Sequence, residues 1–584
     1  MNEATVLTEW ARLLMRSLAD AGISDVVLSP GSRSTPYLIA ALRESRFRCH
    51  DAIDERAAAF FALGQARWTS RPSLVLCTSG TAAAHYYPAI VEASLARVPL
   101  VVVTADRPFE LQDCAASQTI DQTKMYGHYV RLFLETGMPD SAPEALHALQ
   151  RMAAQSVFAA HWPDPGPVHL NVRARKPLEP QAPRTESERE LARALRSMRP
   201  APAVSVPRVR PEAAAIGAAV QQCREARAGL LVCGPLPIDA SGARAALLDL
   251  AEATQFPLLA EVTSQLRLMN ADAARAPALC DAFDRVLASK PFREAHAPDL
   301  IVQIGGTPTS GAWERYSSAH RRTPRIVLAE HGWTDASNAA STMLFGAIAE
   351  TAAAMADGLR GTPPAASGAW TKDFVDASRE AWIAVDAEIR EEVLGPLTER
   401  GAVRTVLERL RPGSVLMLAN SLPIRHVESL ARTGMADVAV ACQRGANGID
   451  GQMAGALGTA MASNRPTTLL VGDIGFLHDL NSLMLAMRAT VPVVLVVLNN
   501  GGGRIFERLP IATEAHVHGV TPEELAHVTT PHALEFGQAA RMFGLAYRCV
   551  ESARDLDDAL SKAYAHPACT VIECRTPRPR KDGS

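Results

Sequence analysis

The ten cysteines include no CxxC pair, so the chain shows neither the usual spacing of a zinc site nor a disulfide framework. No apolar run approaches the ~20 residues needed to cross a bilayer, and membrane insertion is not expected. Neither sign of charge dominates. Lys and Arg total 59 against 62 Asp and Glu, a formal net charge of -3, which argues against a large nucleic-acid footprint. The first residues, MNEATVLTEWARLL, are acidic and amphipathic and lack the basic-then-apolar pattern of an export signal. Short-period repeats and long low-complexity tracts are missing too. The cytoplasm is the expected compartment.

What is present is a chain of 584 residues, 48% hydrophobic and 21% charged, long enough for roughly three to four folded units. Residues 1–178 alternate helical patterns, at Thr8–Leu18 and from Tyr37, with apolar runs at 25–28, 73–77, 100–103 and 167–172. Strands separated by helices imply a parallel, doubly wound sheet. Prolines then recur from Pro177 to Pro211 around the charged segment TESERELARALR, and 179–211 reads as a linker containing a short helix. A second α/β unit is expected over 212–360, with apolar runs at 229–233, 300–304 and 325–328. A Pro/Gly/Ala stretch at 361–369 separates it from a third unit, 370–584, with runs at 414–418, 438–441, 467–471, 491–498 and 570–573.

The third unit contains VGDIGFLHDLNSLMLAMRATVPVVLVVLNNGGGRIF, from Val471 to Phe506. Read as strand, helix from about Leu480, then strand, it places Asp473 and Asn500 at the C-terminal ends of two parallel strands, the edge where open α/β sheets bind ligands. Hard oxygens at this spacing, beside glycines that let backbone approach a ligand, suit Mg²⁺ carrying a diphosphate. The segment fits two ordinary strand-end turns equally well.

Other strand ends carry polar groups. Ser29-Pro30-Gly31-Ser32-Arg33-Ser34-Thr35 sits between a strand and a helix, where an anion site would form and Arg33 would grip a carboxylate or phosphate. A capped turn with a solvated arginine is the commoner outcome for such a match. Glu55 begins a helix whose residues after Arg56 are almost all apolar or small. This is expected to bury its carboxyl and raise its pKa, as suits a proton donor; first-turn acids are otherwise routine dipole partners. Ser79-Gly80-Thr81, Arg107 and Gln118 follow further strands, as do Ser421 and Arg425 and the run Arg444 to Gly451. The glycines around Ile449 would let an apolar side chain project into a cleft. Several arginines on one rim imply a small substrate with more than one negative charge.

Collected, these residues resemble the thiamine diphosphate (ThDP) dependent enzymes, and among them the 2-succinyl-5-enolpyruvyl-6-hydroxy-3-cyclohexene-1-carboxylate synthase family of menaquinone biosynthesis. The resemblance covers both terminal units. It is carried by SPGSRSTP, DERAAAFFALG, TSGTAAA, TADRP with the following SQ, NSLPIR, RGANGIDG, GDIGFLHDLNSL and NNGGGRIF. It implies three doubly wound parallel-sheet α/β domains: a pyrimidine-binding domain at 1–178, a transhydrogenase-like central domain and a diphosphate-binding domain at 370–584. In that family the cofactor lies between the pyrimidine domain of one subunit and the diphosphate domain of another. A homodimer is then the smallest active unit, and homotetramers are common.

The resemblance also implies roles. Asp473, Asn500 and the Gly502 carbonyl hold Mg²⁺ or Mn²⁺ against the diphosphate. Glu55 bonds the aminopyrimidine and favours its imino form. Ile449 wedges the cofactor into its bent shape, and Ser79, Gly80, Thr81, Gly472, Ile474, Ile505 and Phe506 complete its contacts. Ser32, Arg33, Arg107, Gln118, Ser421, Arg425 and Arg444 surround the substrates. Those are 2-oxoglutarate, which loses CO2, and isochorismate, which takes up the remaining succinic semialdehyde unit in a Stetter-like 1,4-addition. An acetolactate synthase-like decarboxylase or carboligase is the alternative, and fits an arginine-rich rim less well. Two positions depart from the pattern. Ile474 stands where the superfamily has the second glycine of G-D-G, and Gly311 where relatives have a basic residue. Either Lys290 or Arg293 substitutes for that charge, or the isochorismate side is bound differently.

Overall fold

A computed structural model describes residues 2–238, 241–268, 278–361, 365–366 and 368–576. Eighteen strands in the described residues form three six-stranded sheets, and every pairing is parallel. The chain is therefore α/β, as expected.

The first sheet comprises β1 (Asp25–Leu28), β2 (Arg48–Asp51), β3 (Ser73–Cys77), β4 (Leu100–Asp106), β5 (Leu132–Glu135) and β6 (Pro167–Arg173), in the order β2-β1-β3-β4-β6-β5. The second has β7 (Gly229–Cys233), β8 (Leu258–Ala260), β9 (Leu279–Cys280), β10 (Leu300–Ile304), β11 (Arg325–Ala329) and β12 (Thr342–Phe345), in the order β12-β11-β10-β7-β8-β9. The third has β13 (Val415–Leu418), β14 (Ala439–Cys442), β15 (Thr467–Gly472), β16 (Val493–Asn499), β17 (Ala546–Val550) and β18 (Cys569–Arg575), in the order β14-β13-β15-β16-β18-β17. Parallel strands need crossovers, and helices supply them over both faces, so the inner strands are apolar on both sides. β3, β4, β10 and β16 are buried at every residue.

The chain divides into two compact bodies whose limits do not follow chain order. One holds Met1–Pro207 with Gln443–Asn464 and Asp479–Ala489; the other holds Arg208–Cys442, Arg465–His478 and Thr490–Ser584. The first body contains the first sheet, and the second body the other two. In the proline-rich stretch a helix does form, at Glu186–Ser197, closed by a reciprocal capping box between Thr185 and Glu188.

Within the first body the Glu55–Thr69 and Gln452–Ser463 helices pack closely enough that only glycine fits at the contact. A Cβ on Gly64 would stand 2.1 Å from the carbonyl oxygen of Gly455, and one on Gly458 would stand 2.0 Å from that of Phe61. Within the second body a buried ion pair joins the turn after β8 to the Leu422–Leu430 helix: Arg267 Nη1 lies 2.8 Å from Glu428 Oε1, and Val262 N donates to Glu428 Oε2.

Among the described residues no helix is long and apolar enough to cross a membrane.

Candidate active site

β15 and β16 are neighbours in register, Gly472 opposite Leu498, so Asp473 and Asn500 emerge side by side at one sheet edge. The helix expected from about Leu480 is present as a 3₁₀ turn at Leu480–Ser482 followed by a short helix at Leu483–Ala486. A separate helix that was not anticipated, Asp473–His478, starts at the strand end itself, and Asp473 Oδ1 accepts from Ile474 N at 2.7 Å. Oδ2 accepts from Gly501 N at 2.8 Å and Gly502 N at 3.0 Å, and His532 Nε2 lies 3.3 Å away. Burial pushes the Asp473 carboxyl above its ordinary range, against the pull of the Gly502 and Ile474 N–H groups and His532. A divalent cation at this carboxylate would favour its ionised form.

Asn500 is buried with its Oδ1 lacking any hydrogen-bond partner, while its Nδ2 donates to Glu399 Oε1 at 2.9 Å. Gly502 has φ +147°, and a Cβ there would meet the Thr529 carbonyl oxygen at 2.7 Å. Its own carbonyl accepts from Arg504 N and keeps a second lone pair. An orphaned buried oxygen, a carboxylate with a lone pair to spare and a glycine carbonyl form a hard-oxygen set that fits Mg²⁺ or Mn²⁺ with phosphate oxygens. Ile474, Ile505 and Phe506 lie along the same edge and are partly exposed. Ser421 and Arg425 follow β13, with Arg425 Nη1 donating to the Ser421 carbonyl at 2.7 Å. Ser421 holds φ +74°, ψ -131°, a costly conformation for a residue with a Cβ, of the kind that clusters at functional sites.

In the first body the N-terminal candidates converge. Arg33 N donates to Thr78 Oγ1 at 3.1 Å, and Arg33 Nη1 donates to the Ala174 carbonyl at 2.6 Å. Burial, then the nearby charge of Arg107, pulls Arg33 below its ordinary pKa, with Asp106 opposing. The Nε of Arg33 and that of Arg107 are both buried without a hydrogen-bond partner. Gln118 Nε2 donates to the Ser79 carbonyl at 3.0 Å, and Ser79 Oγ donates back to the Gln118 carbonyl at 3.1 Å. Gly80, at φ +92°, could not carry a Cβ without pressing on Gln118 Cγ at 3.0 Å. Thr81 opens the Thr81–His85 helix, and Ser32 is exposed.

Glu55 departs from the expected burial. It is the first residue of its helix, behind an Asp54 N-cap, and stands half-exposed; full burial begins at Ala57. A residue at the first helical position projects beyond the packed body of the helix, which an apolar count along the helix does not register.

The Arg444–Gly451 loop is held from below by Glu92, whose carboxylate accepts from Gly445 N at 2.9 Å and Ala446 N at 2.6 Å and pairs with Arg67 at 3.2 Å. Arg444 and Ile449 are both half-buried on that loop. Gly311 opens the Gly311–Ala319 helix, and Arg315 Nη1 lies 3.7 Å from where its Cβ would be. Of the two alternatives, Lys290 is exposed and lies 3.7 Å from Glu294, and Arg293 Nη1 donates to the Leu287 and Ala288 carbonyls.

Glu399, His426, His532, Glu92, Arg173 and Gln122, whose Oε1 accepts from Gly80 N at 3.1 Å, were not legible as site neighbours. Thr398-Glu399 shows only an ordinary helix start, and no local signal pairs Glu92 with a loop more than three hundred residues downstream.

Two family profiles match the chain. "Thiamine pyrophosphate enzyme, N-terminal TPP binding domain" covers residues 8–125, and "Thiamine pyrophosphate enzyme, C-terminal TPP binding domain" covers residues 440–574. Curated relatives match over nearly their whole length. A protein of Sorangium cellulosum is 44% identical over 99% of this chain and 94% of its own. One of Myxococcus xanthus is 36% identical over 93% and 90%, and one of Geobacillus kaustophilus 37% identical over 98% and 96%. All three carry the name 2-succinyl-5-enolpyruvyl-6-hydroxy-3-cyclohexene-1-carboxylate synthase. With that similarity running through nearly the whole chain, the chain belongs to the 2-succinyl-5-enolpyruvyl-6-hydroxy-3-cyclohexene-1-carboxylate synthase family of thiamine diphosphate enzymes.

Proposed function

We propose that the protein decarboxylates 2-oxoglutarate and joins the resulting four-carbon unit to isochorismate in menaquinone biosynthesis. The observation that carries this reading is the 44% identity, over 99% of the chain, to a synthase of that name. ThDP, when bound, supplies the electron sink for loss of CO2 from a 2-oxo acid. The chain's own residues bind, orient and exclude water. Asp473, Asn500 and Gly502 hold Mg²⁺ or Mn²⁺ against the diphosphate. Glu55 holds the aminopyrimidine and moves its proton, and Ile449 supports the cofactor from below. Arg33 and Arg107, with Gln118 and Ser32, receive substrate carboxylates on the first sheet; Ser421, Arg425 and Arg444 do so beyond the third. Both substrates carry two carboxylates, which accounts for the number of guanidinium groups.

The domain reading follows: pyrimidine-binding at 1–178, linkers at 179–211 and 361–369, a transhydrogenase-like domain at 212–360 and diphosphate-binding at 370–584. The cytoplasm is the proposed compartment, and a homodimer the smallest active form, with a homotetramer as a further assembly. An acetolactate synthase-like activity is not favoured.

The deciding assay supplies purified protein with ThDP, Mg²⁺ and 2-oxoglutarate, with and without isochorismate, and follows isochorismate loss. Loss that requires both ThDP and 2-oxoglutarate is expected; no loss under any of these conditions refutes the assignment.

A further inference from the structure

A carboxamide has two unlike ends, an NH2 that donates and an oxygen that accepts, and half a turn about its last torsion exchanges them. Only the oxygen end ligates a hard cation. At the end of β16 a residue from far upstream decides between the two. Glu399 opens the Glu399–Arg409 helix, where Thr398 Oγ1 caps the first turn by accepting from Gly401 N at 2.9 Å. An acid in that position is ordinarily a solvated partner of the helix dipole. Glu399 is different: its side chain is only 16% exposed and turns to Asn500, with Oε1 accepting from Nδ2 at 2.9 Å. Its second oxygen lies 3.8 Å from Nε2 of the buried His426, one residue beyond Arg425. A carboxylate has no hydrogen to donate, so it holds only the NH2 end. That leaves Asn500 Oδ1 buried and unpartnered among the described residues.

We infer that Glu399 is a positioning residue that fixes the Asn500 carboxamide with its oxygen toward the metal and diphosphate. The inference rests on the proposed metal site of Asp473, Asn500 and Gly502. Without Glu399 the carboxamide is free to turn, and the NH2 end then competes for the place of a ligand.

The test is a Mn²⁺ titration of the ThDP-saturated protein, with free Mn²⁺ read by electron paramagnetic resonance. Glu399→Ala is expected to weaken Mn²⁺ about 10–100-fold, the usual cost of removing an outer partner of a ligand. Glu399→Gln, whose amide oxygen accepts the same hydrogen bond, is expected to stay within about threefold of the parent. Should the alanine variant lose its cooperative thermal transition, Glu399→Met keeps the volume without an acceptor and takes its place. Unchanged Mn²⁺ affinity in the variant lacking the acceptor overturns the inference, as does equal damage in the glutamine variant. Mn²⁺ binding that Asp473→Ala leaves untouched overturns the metal site itself, and the inference with it. Binding that depends on Asp473 but not on Glu399 overturns the inference alone.

Discussion

Gly458→Ala puts one methyl group where the Glu55–Thr69 and Gln452–Ser463 helices touch, and its sign can be worked out beforehand. Alanine is the better helix former by about 0.8–1 kcal/mol, so propensity alone predicts stabilisation. Packing opposes it. The new Cβ would stand 2.0 Å from the Phe61 carbonyl oxygen, whereas ordinary contact begins at 3.4 Å, so the helices must part by as much as 1.4 Å. The obstacle is helix backbone, which cannot swing away as a long side chain would. Overpacking of this kind costs about 1–3 kcal/mol and occasionally more, and a radial gap of 0.5–1 Å already forfeits a quarter to a half of each dispersion contact. Opposing contacts along the same seam resist the separation, since Gly64 meets Gly455, and Thr459 Oγ1 donates to the Gly64 carbonyl at 3.2 Å. Less the propensity gain of about 1 kcal/mol, the expected net effect is destabilisation by up to about 2 kcal/mol, a fall of up to roughly 8 °C in the midpoint of a body of this size. Gly217→Ala is the control. It lies exposed in the Ala213–Glu225 helix with nothing within 4 Å of its would-be Cβ, and is expected to gain about 0.5–1 kcal/mol. Scanning calorimetry of both variants checks the pair. A Gly458→Ala midpoint equal to or above the parent's refutes the reasoning.

Glu55→Gln is expected to keep ThDP affinity within a few-fold while turnover falls about 10²–10⁴-fold, the range for losing a positioned proton-transfer group; isothermal titration beside the isochorismate assay separates the two, and unchanged turnover removes the role. Gly502→Ala, strained by φ +147° and facing the Thr529 carbonyl, is expected to abolish metal-dependent ThDP binding, and titration showing the parent's affinity would count against the proposed site. Asp479 predicts a pH dependence. Burial lifts its carboxyl from 3.8 to about 6 in the folded chain, where it accepts from Met453 N and Ala454 N. The folded state thus binds the proton more tightly, and stability declines as pH rises from about 4 to about 6. Asp479→Asn removes that decline, so its stability relative to the parent should rise by up to about 3 kcal/mol across the window, on top of a constant offset. Denaturant midpoints that run parallel from pH 4 to 8 would refute this assignment.

The strands legible in the sequence are those buried on both faces. β1, β3, β4, β6, β7, β10, β11, β13, β15, β16 and β18 show as apolar runs because helices cover each side of a parallel sheet, and β14 shows as one too although it lies at a sheet edge, since three of its four residues are buried. Those not anticipated are β2, β5, β8, β9, β12 and β17. Five of them lie at sheet edges, and the sixth, β8, is only three residues long. β2 reads Arg48-Cys49-His50-Asp51 and β17 reads Ala546-Tyr547-Arg548-Cys549-Val550, both largely open to solvent and without a hydrophobic signal. Strand-end turns were legible for a similar reason. Gly-Asp and Asn-Asn-Gly are local, and a parallel sheet brings them to one edge. What holds them was not. Glu399 to Asn500 and Glu92 to Gly445 are pairings of residues far apart in the chain, and each glutamate by itself gives only an ordinary helix signal.

The arginines show how far a residue count goes. The rim arginines implied an anionic substrate, and the structure adds one that was not in that set and is spent internally: Arg173 lies 3.0 Å from Asp106 and 3.1 Å from Glu135. Asp106 is also held by Asn171 Nδ2 and by the Arg107 N–H. Two carboxylates therefore face Arg173, Arg33 and Arg107, and the cluster retains positive charge. A guanidinium does not shed its proton at ordinary pH, so burial leaves it paired or waiting for a partner. Arg33 is buried, and its pKa is pulled down by burial and by Arg107 more than Asp106 restores it. A carboxylate arriving from solvent would relieve that imbalance, whereas a neutral ligand of the same shape would leave it. Substrate charge thus follows from the groups that remain unpaired after Asp106 and Glu135 have taken their share.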